Sequence, residues 1–203
     1  MRRARKGCTV VLVGVAFLVA MGLSASAACD KAFVIVDVQR LYVEGGRWFT
    51  ADGASIVAKI APLLELARTN GVPVLYIQHV ENPGISVDAP LVGFPDAIAP
   101  REGEPVVQKR YASGFDQTTL QAELDARGIK SLFLTGISST ACLNATLRGA
   151  LLLGYGVTVL ADAHSAGGNA ETAALMNDVW KTLGATVLPS AEIDFASLCP
   201  SAE

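Results

Sequence analysis

Apolar positions along this chain fall into two alternating rhythms. Short apolar runs with little polar interruption mark strands buried on both faces. They are Ala32-Phe33-Val34-Ile35-Val36, Val72-Pro73-Val74-Leu75-Tyr76-Ile77, Val106-Val107, Ser131-Leu132-Phe133-Leu134-Thr135, Val157-Thr158-Val159-Leu160 and Thr186-Val187-Leu188. Between them apolar residues recur at helical spacing. Ile56, Ile60, Leu63, Leu64 and Ala67 predict a helix over 54–70, closed by Asn70-Gly71. Leu120 and Leu124 predict a helix over 116–127 with Gly128 as its stop, and two more are expected over 141–153 and 170–183, ended by Gly154 and Gly184. The stretch from Glu81 to Glu104 carries Pro83, Pro90, Pro95 and Pro100 and reads as a loop long enough to form a lid or a pocket wall.

Alternation of this kind predicts an α/β fold: three layers, α/β/α, around a central, mostly parallel six-stranded sheet. No internal repeat, low-complexity tract or linker interrupts it, so residues 28–203 are expected to form one domain.

The first residues follow a different logic. Met1 to Lys6 reads MRRARK, residues 10–21 are apolar, and Ala25-Ser26-Ala27 supplies a small-residue cleavage pattern. This is the layout of a secretory signal peptide, which predicts removal of residues 1–27 and a secreted or periplasmic location. The apolar run is shorter than the roughly 18 to 20 residues of a membrane-spanning helix. An uncleaved anchor and a lipoprotein attached at Cys29 stay open as alternatives. Cleavage removes Arg2, Arg3, Arg5 and Lys6, taking the formal net charge of −3 further negative. No basic footprint for nucleic acid exists, and no membrane contact is expected after processing.

Cysteine usage fits export. Cys8 leaves with the leader, and three cysteines remain. Cys29 and Cys199 lie at the two ends of the predicted domain, and termini often lie close together. They are the expected disulfide, which leaves Cys142 as a free thiol.

In parallel sheets of this type ligands bind outside the carboxyl ends of the strands. Three reactive groups fall there: Asp37 after the first strand, Lys109 after Val106-Val107-Gln108, and Cys142 at the start of a helix after the turn Gly136-Ile137-Ser138-Ser139-Thr140. Each alone has an ordinary structural explanation. Together they fit covalent catalysis, in which a thiol nucleophile with its pKa lowered by a helix N-terminus and a cation is served by a carboxylate. The chain has only two histidines, His79 and His164, no G-x-S-x-G elbow, no P-loop and no G-x-G-x-x-G after a strand. Serine hydrolase and nucleotide-binding readings are therefore disfavoured.

These residues also carry a resemblance. Asp37-Val38-Gln39 with Tyr42 and Gly45-Gly46, Gly71-Val72-Pro73-Val74 leading to Gln78-His79, Val107-Gln108-Lys109-Arg110-Tyr111 with Phe115, Gly136 through Cys142 and Asp162-Ala163-His164-Ser165 occur in the order and spacing of the isochorismatase-like cysteine hydrolases. The resemblance implies an Asp37–Lys109–Cys142 triad and a cis peptide between Ile137 and Ser138. It further implies an oxyanion hole made by the Ser138 and Cys142 N–H groups. It implies hydrolysis of a small amide or carbamoyl carbon–nitrogen bond through a thioester, and a homodimer or larger assembly. The zinc-binding branch carries a histidine where Asp52-Gly53-Ala54 has none, so no metal or other cofactor is expected. Tyr42, Trp48, His79, Tyr111 and Phe115 flank the motifs and are the candidate substrate pocket, each with core packing as its other reading. His79 is placed within the wall and His164 in the loop after the fifth strand. Two other functions stay open: vinyl-ether hydrolysis on the same fold, and a non-catalytic exported binding protein.

Overall fold

A computed structural model of the chain describes residues 29–46, 48–80 and 90–199. The leader predicted over 1–27 and the first part of the long loop, 81–89, lie outside the described residues. No helix among the described residues is long and apolar enough to cross a membrane.

Six strands form one parallel sheet: β1 (Lys31–Val36), β2 (Val74–His79), β3 (Val106–Lys109), β4 (Ser131–Ile137), β5 (Gly156–Ser165) and β6 (Thr186–Leu188). Their order across the sheet is β3-β2-β1-β4-β5-β6. The chain thus builds outward from β1 in one direction and, beginning with β4, in the other. That reversal opens a crevice between the carboxyl ends of β1 and β4, where a parallel sheet binds its ligands.

The helices are α1 (Arg40–Val43), α2 (Gly53–Thr69), α3 (Leu120–Ala126), α4 (Cys142–Leu152), α5 (Ala170–Thr182) and α6 (Phe195–Leu198). Successive side chains of a strand point to opposite faces, and β1 divides accordingly. Phe33 and Ile35 enter one core with Ile56, Ile60, Leu63 and Leu64 of α2 and Phe195 of α6. Ala32, Val34 and Val36 enter the other with Leu120, Leu143, Leu147 and Trp180 of α3, α4 and α5. Three layers result, as the alternation predicts. Pro62 lies inside α2 and lacks the N–H of a regular turn; the buried apolar stripe of that helix compensates.

Two boundaries differ from the periodicity, and two short helices escape it. The helix expected over 116–127 starts only at Leu120, because Gln117 takes a left-handed backbone angle (φ 55°) and the Thr118 hydroxyl bonds back to the Gly114 carbonyl. The strand expected over 157–160 runs on to Ser165, so His164 lies in β5 and not in the following loop. The short helices α1 and α6 have too few residues to show a period.

The described part of the long loop packs onto the fold and does not line the cavity over Cys142. It forms 3-10 turns at Pro90–Val92 and Asp96–Ile98. Arg40 donates to the Gly93 and Phe94 carbonyls, Phe94 packs edge-on to Tyr76, and Ile98 is fully buried.

Gly136 lets the two central strands converge. A Cβ there would overlap the Val36 carbonyl oxygen, and its φ of 131° suits glycine alone.

Cys29 and Cys199 are bridged, with their Cα atoms 5.2 Å apart and a sequence separation of 170. The bridge ties the chain before β1 to the residue after α6. Replacing both cysteines by serine is expected to lower the unfolding free energy by about 2 to 5 kcal/mol, since a long loop loses its closure. Urea unfolding of the variant beside the oxidised and reduced wild type measures this; coincident midpoints would show that the bridge adds nothing.

Candidate active site

Asp37 directly follows β1. Its backbone turns left-handed there (φ 54°), which aspartate tolerates better than most residues. Its N–H donates to the Ile77 carbonyl at 2.9 Å, tying the turn to β2. The side chain is 2% exposed.

Lys109 ends β3, two strands away. Neighbouring strands lie about 4.8 Å apart, so a group on β3 must reach across β2 to meet β1, and the four-carbon lysine stem is long enough. Its Nζ lies 2.7 Å from Asp37 Oδ2 with the ammonium buried. It also lies 3.0 Å from His79 Nδ1 and 3.2 Å from the Tyr111 carbonyl oxygen. The other Asp37 oxygen, Oδ1, is buried with no hydrogen-bond partner.

Cys142 opens α4, half-buried and not in a disulfide. An Asp37 carboxylate oxygen, a His79 ring nitrogen and Cys142 Sγ lie within 4.8 Å of one another. These are donor types that hold metal ions. Here, however, the Lys109 ammonium already sits against both Asp37 and His79, and its charge opposes a second cation.

The electrostatics differ from the sequence expectation. Burial, followed by the negative charge of Asp37, pushes the Cys142 thiol up to about 11, and Lys109 pulls only partly the other way. A helix N-terminus and a nearby cation do not prevail over desolvation and an adjacent carboxylate. Burial also lifts Asp37 above the ordinary carboxylate range, against the pull of Lys109. Thiol and carboxylate are therefore shifted in the same direction.

The peptide between Ile137 and Ser138 is cis. The N–H groups of Ser138 and Cys142 donate to no backbone carbonyl among the described residues, whereas Ala141 and Leu143 both donate to the Ser138 carbonyl. Two polar clusters hold this turn. Ser139 N–H donates to the Ser165 carbonyl at 2.7 Å, and Ser139 Oγ meets His164 Nδ1 at 2.8 Å. Asn177 Nδ2 donates to the Ala161 carbonyl, so its Oδ1 faces His164 Nε2. That assigns the ring proton to Nε2 and makes Nδ1 the acceptor of the Ser139 hydroxyl. In the second cluster the hydroxyls of Thr50 and Ser165 both reach Asp52 Oδ1 at 2.6 Å, and Gly168 N–H donates to Ser165 Oγ.

A cavity of about 220 Å³ opens over these groups. Asp37, Ile137, Ser138, Ala141 and Cys142 line it together with Tyr42, Trp48, Thr50 and Gly167. Of the candidate pocket residues, Tyr42 and Trp48 are thus on this lining. His79 lies behind the carboxylate against Lys109. Tyr111 is 48% exposed and borders a separate polar hollow with Arg110 and Gln117, contributing only its carbonyl to Lys109. Phe115 stacks on Tyr155 in the core under α3 and α4. The chain turns away after β3, so closeness to Lys109 in sequence does not carry these rings to the cavity. Thr50 and Gly167 went unforeseen, being single loop residues with no pattern around them. Gln39 was quoted within the first motif but given no role. Its side-chain amide accepts from His79 N–H and donates to the His79 and Val92 carbonyls.

Residues 31–192 match the isochorismatase domain family. The chain is 38% identical over 140 residues to the streptothricin hydrolase of Streptomyces noursei, covering 66% of this chain and 49% of that protein, so it spans about half that relative's length. It is 32% identical over 190 residues to the ureidoacrylate amidohydrolase RutB of Stutzerimonas stutzeri, covering 74% of this chain and 76% of the relative. Among solved structures, N-carbamoylsarcosine amidase of Thermoplasma acidophilum superposes with a TM-score of 0.71 at 28% identity, covering 81% of this chain and 98% of that one. A cysteine hydrolase of Pseudomonas syringae pv. phaseolicola shares the fold with a TM-score of 0.80, covering 84% and 94% of the two chains at 24% identity.

Burial holds His164 below the ordinary histidine range. A group depressed in the folded state stabilises above its unfolded pKa, about 6.5, and that contribution is lost as the pH falls through the folded value. Asp37, raised by burial, acts in the opposite sense and is common to wild type and variant. The unfolding free energy of wild type, from urea titration, should therefore fall more between about pH 7.5 and 5 than that of His164→Gln, by up to about 1.4 kcal/mol per pH unit. Parallel pH profiles for the two proteins would contradict the assignment.

Proposed function

The chain belongs to the isochorismatase family, and from that premise we propose that it is a cysteine hydrolase cleaving the carbon–nitrogen bond of a small amide or carbamoyl substrate through a thioester on Cys142. The observation that carries this reading is the meeting of Asp37 and Cys142 on one cavity, with Lys109 buried and ion-paired to Asp37 and with Asp37 Oδ1 buried and unpartnered.

The steps follow from the electrostatics. Because the thiol is protonated at neutral pH, attack and proton transfer belong together. The Cys142 sulfur bonds to the substrate carbonyl carbon as its proton passes to Asp37. The carbonyl oxygen takes up negative charge and is met by the N–H groups of Ser138 and Cys142. Collapse breaks the C–N bond, and the proton on Asp37 leaves with the amine or ammonia. Water then gives a proton to Asp37 while its oxygen attacks the thioester. The C–S bond breaks and the proton returns to sulfur. Lys109 stays charged throughout and offsets the carboxylate whenever it is ionised.

The cavity suits a small substrate, with room for roughly seven water volumes, and Tyr42 and Trp48 offer flat apolar walls. The relatives named for ureidoacrylate and N-carbamoylsarcosine support the bond type. Vinyl-ether hydrolysis needs no sulfur nucleophile, so Cys142 on the cavity favours the amide reading. Export of residues 28–203 belongs to the same proposal, and the Cys29–Cys199 bridge supports an oxidising compartment.

The test is ammonia release from a panel of primary amides, ureido acids and N-carbamoyl amino acids. Cys142→Ala should lower kcat by about 1,000-fold or more and Asp37→Asn by about 100-fold or more. Turnover by Cys142→Ala at the wild-type rate would refute the mechanism.

A further inference from the structure

The Lys109 ammonium has three N–H donors and no lone pair. Three acceptors surround it: Asp37 Oδ2 at 2.7 Å, His79 Nδ1 at 3.0 Å and the Tyr111 carbonyl at 3.2 Å. One N–H therefore goes to each. His79 Nδ1 must carry a lone pair, so the ring is neutral with its proton on Nε2; an imidazolium would have no acceptor to offer.

We infer that His79 is a positioning residue. By taking one N–H of Lys109 through Nδ1, it limits the ammonium to a single bond with Asp37 and so keeps Asp37 Oδ1 open for the thiol proton. This rests on the triad reading above. Without His79, the freed N–H has Asp37 Oδ1 in reach of the same pocket, and that contact occupies the acceptor the reaction needs. Among the described residues Oδ1 is a buried polar side-chain atom left without a partner, which is what this distribution of N–H groups leaves behind.

The placement of His79 is itself enforced. It pairs in register with Lys109 at the ends of β2 and β3. The Gln39 amide grips its backbone on both sides, accepting from the N–H at 2.9 Å and donating to the carbonyl at 3.1 Å. Among the described residues, the charged and titratable groups that meet at this point are Asp37 after β1, His79 on β2, Lys109 on β3 and Cys142 on α4. His79 is not among the residues that line the cavity; it stands behind the carboxylate, against Lys109.

A substrate-independent test uses iodoacetamide. The rate of Cys142 alkylation in the full chain, followed by intact mass between about pH 6 and 10, reports how readily the thiol loses its proton. His79→Leu, by letting Lys109 occupy the carboxylate that takes the thiol proton, should slow alkylation at neutral pH by about 10-fold or more, whereas His79→Asn, whose amide oxygen can stand where Nδ1 was, should stay within about 3-fold of wild type. A wild-type profile in His79→Leu overturns the inference, and so does equal slowing in the leucine and asparagine variants. Should the leucine variant fail to fold, the 15N spectrum of the wild-type histidine rings at neutral pH decides. The inference requires the Nε2–H tautomer at His79, and an Nδ1–H ring or an imidazolium there refutes it. The outcomes separate from those for the hydrolase. Cys142→Ala that still releases ammonia sinks the reaction, while an unmoved alkylation profile sinks only the role of His79.

Discussion

Lys109 and Asp37 hold opposite charges 2.7 Å apart where almost no water reaches. Removing two such ions from water costs several kcal/mol each, and their attraction offsets this only when the geometry is held and the remaining donors find partners. Much of the local structure supplies those conditions. The Tyr111 carbonyl and His79 Nδ1 take the remaining N–H groups, Gln39 fixes His79, and the Val92 carbonyl fixes Gln39. The pair joins β3 to the end of β1 across β2, and its position follows from parallel register: His79 lies opposite Lys109, and Val36 opposite Ile77. An antiparallel edge would send one of these strand ends to the far side of the sheet.

The thiol approaches from the other half of the fold. The reversal of strand order puts β4 beside β1, and glycine at position 136 allows the Val36 carbonyl to come close. The turn after β4 then has to hold a fixed shape with two N–H groups unspent. That is the task of the polar residues at the end of β5. Ser165 receives the Ser139 N–H, and His164 receives its hydroxyl. A buried histidine and serine in a strand look like a defect in the apolar pattern. Here they are the fastening of the turn that carries the reactive cysteine.

This explains what could be read from the chain beforehand. Five of the six strands were legible within about two residues at each end, because a strand covered on both faces must be apolar throughout. The glycines that stop α2, α3, α4 and α5 were legible for the same local reason. Asp37, Lys109 and Cys142 stood out because strand ends are where a parallel sheet exposes reactive groups. The second half of β5 was not legible. Asp162 and His164 are satisfied by Lys59, Ser190 and Asn177, all distant in sequence. Tyr111 and Phe115 misled because nearness to Lys109 in the chain says nothing about where the backbone goes once β3 ends. The shift of the thiol was read in the wrong direction for a related reason. A helix start and a lysine can be seen in the sequence, but the depth of burial that outweighs them cannot.

The direction of that shift bears on why a carboxylate, and not the imidazole beside it, is the proposed base. His79 lies within 4.8 Å of the sulfur and would make an ordinary thiol–imidazole pair. Its Nδ1 lone pair is committed to Lys109, however, and its other nitrogen carries the proton. Asp37 Oδ1 is the acceptor that remains open. A thiol near 11 is a poor nucleophile in isolation, yet burial has also raised the basicity of the carboxylate next to it. The raised carboxylate thereby offsets part of the cost that the raised thiol adds to passing the proton during attack. Lysine completes the arrangement as a permanent cation, preventing the buried carboxylate from becoming too strong a base to release the proton. In the proposed mechanism the histidine therefore serves the lysine and the lysine serves the acid, and only the acid exchanges protons with sulfur.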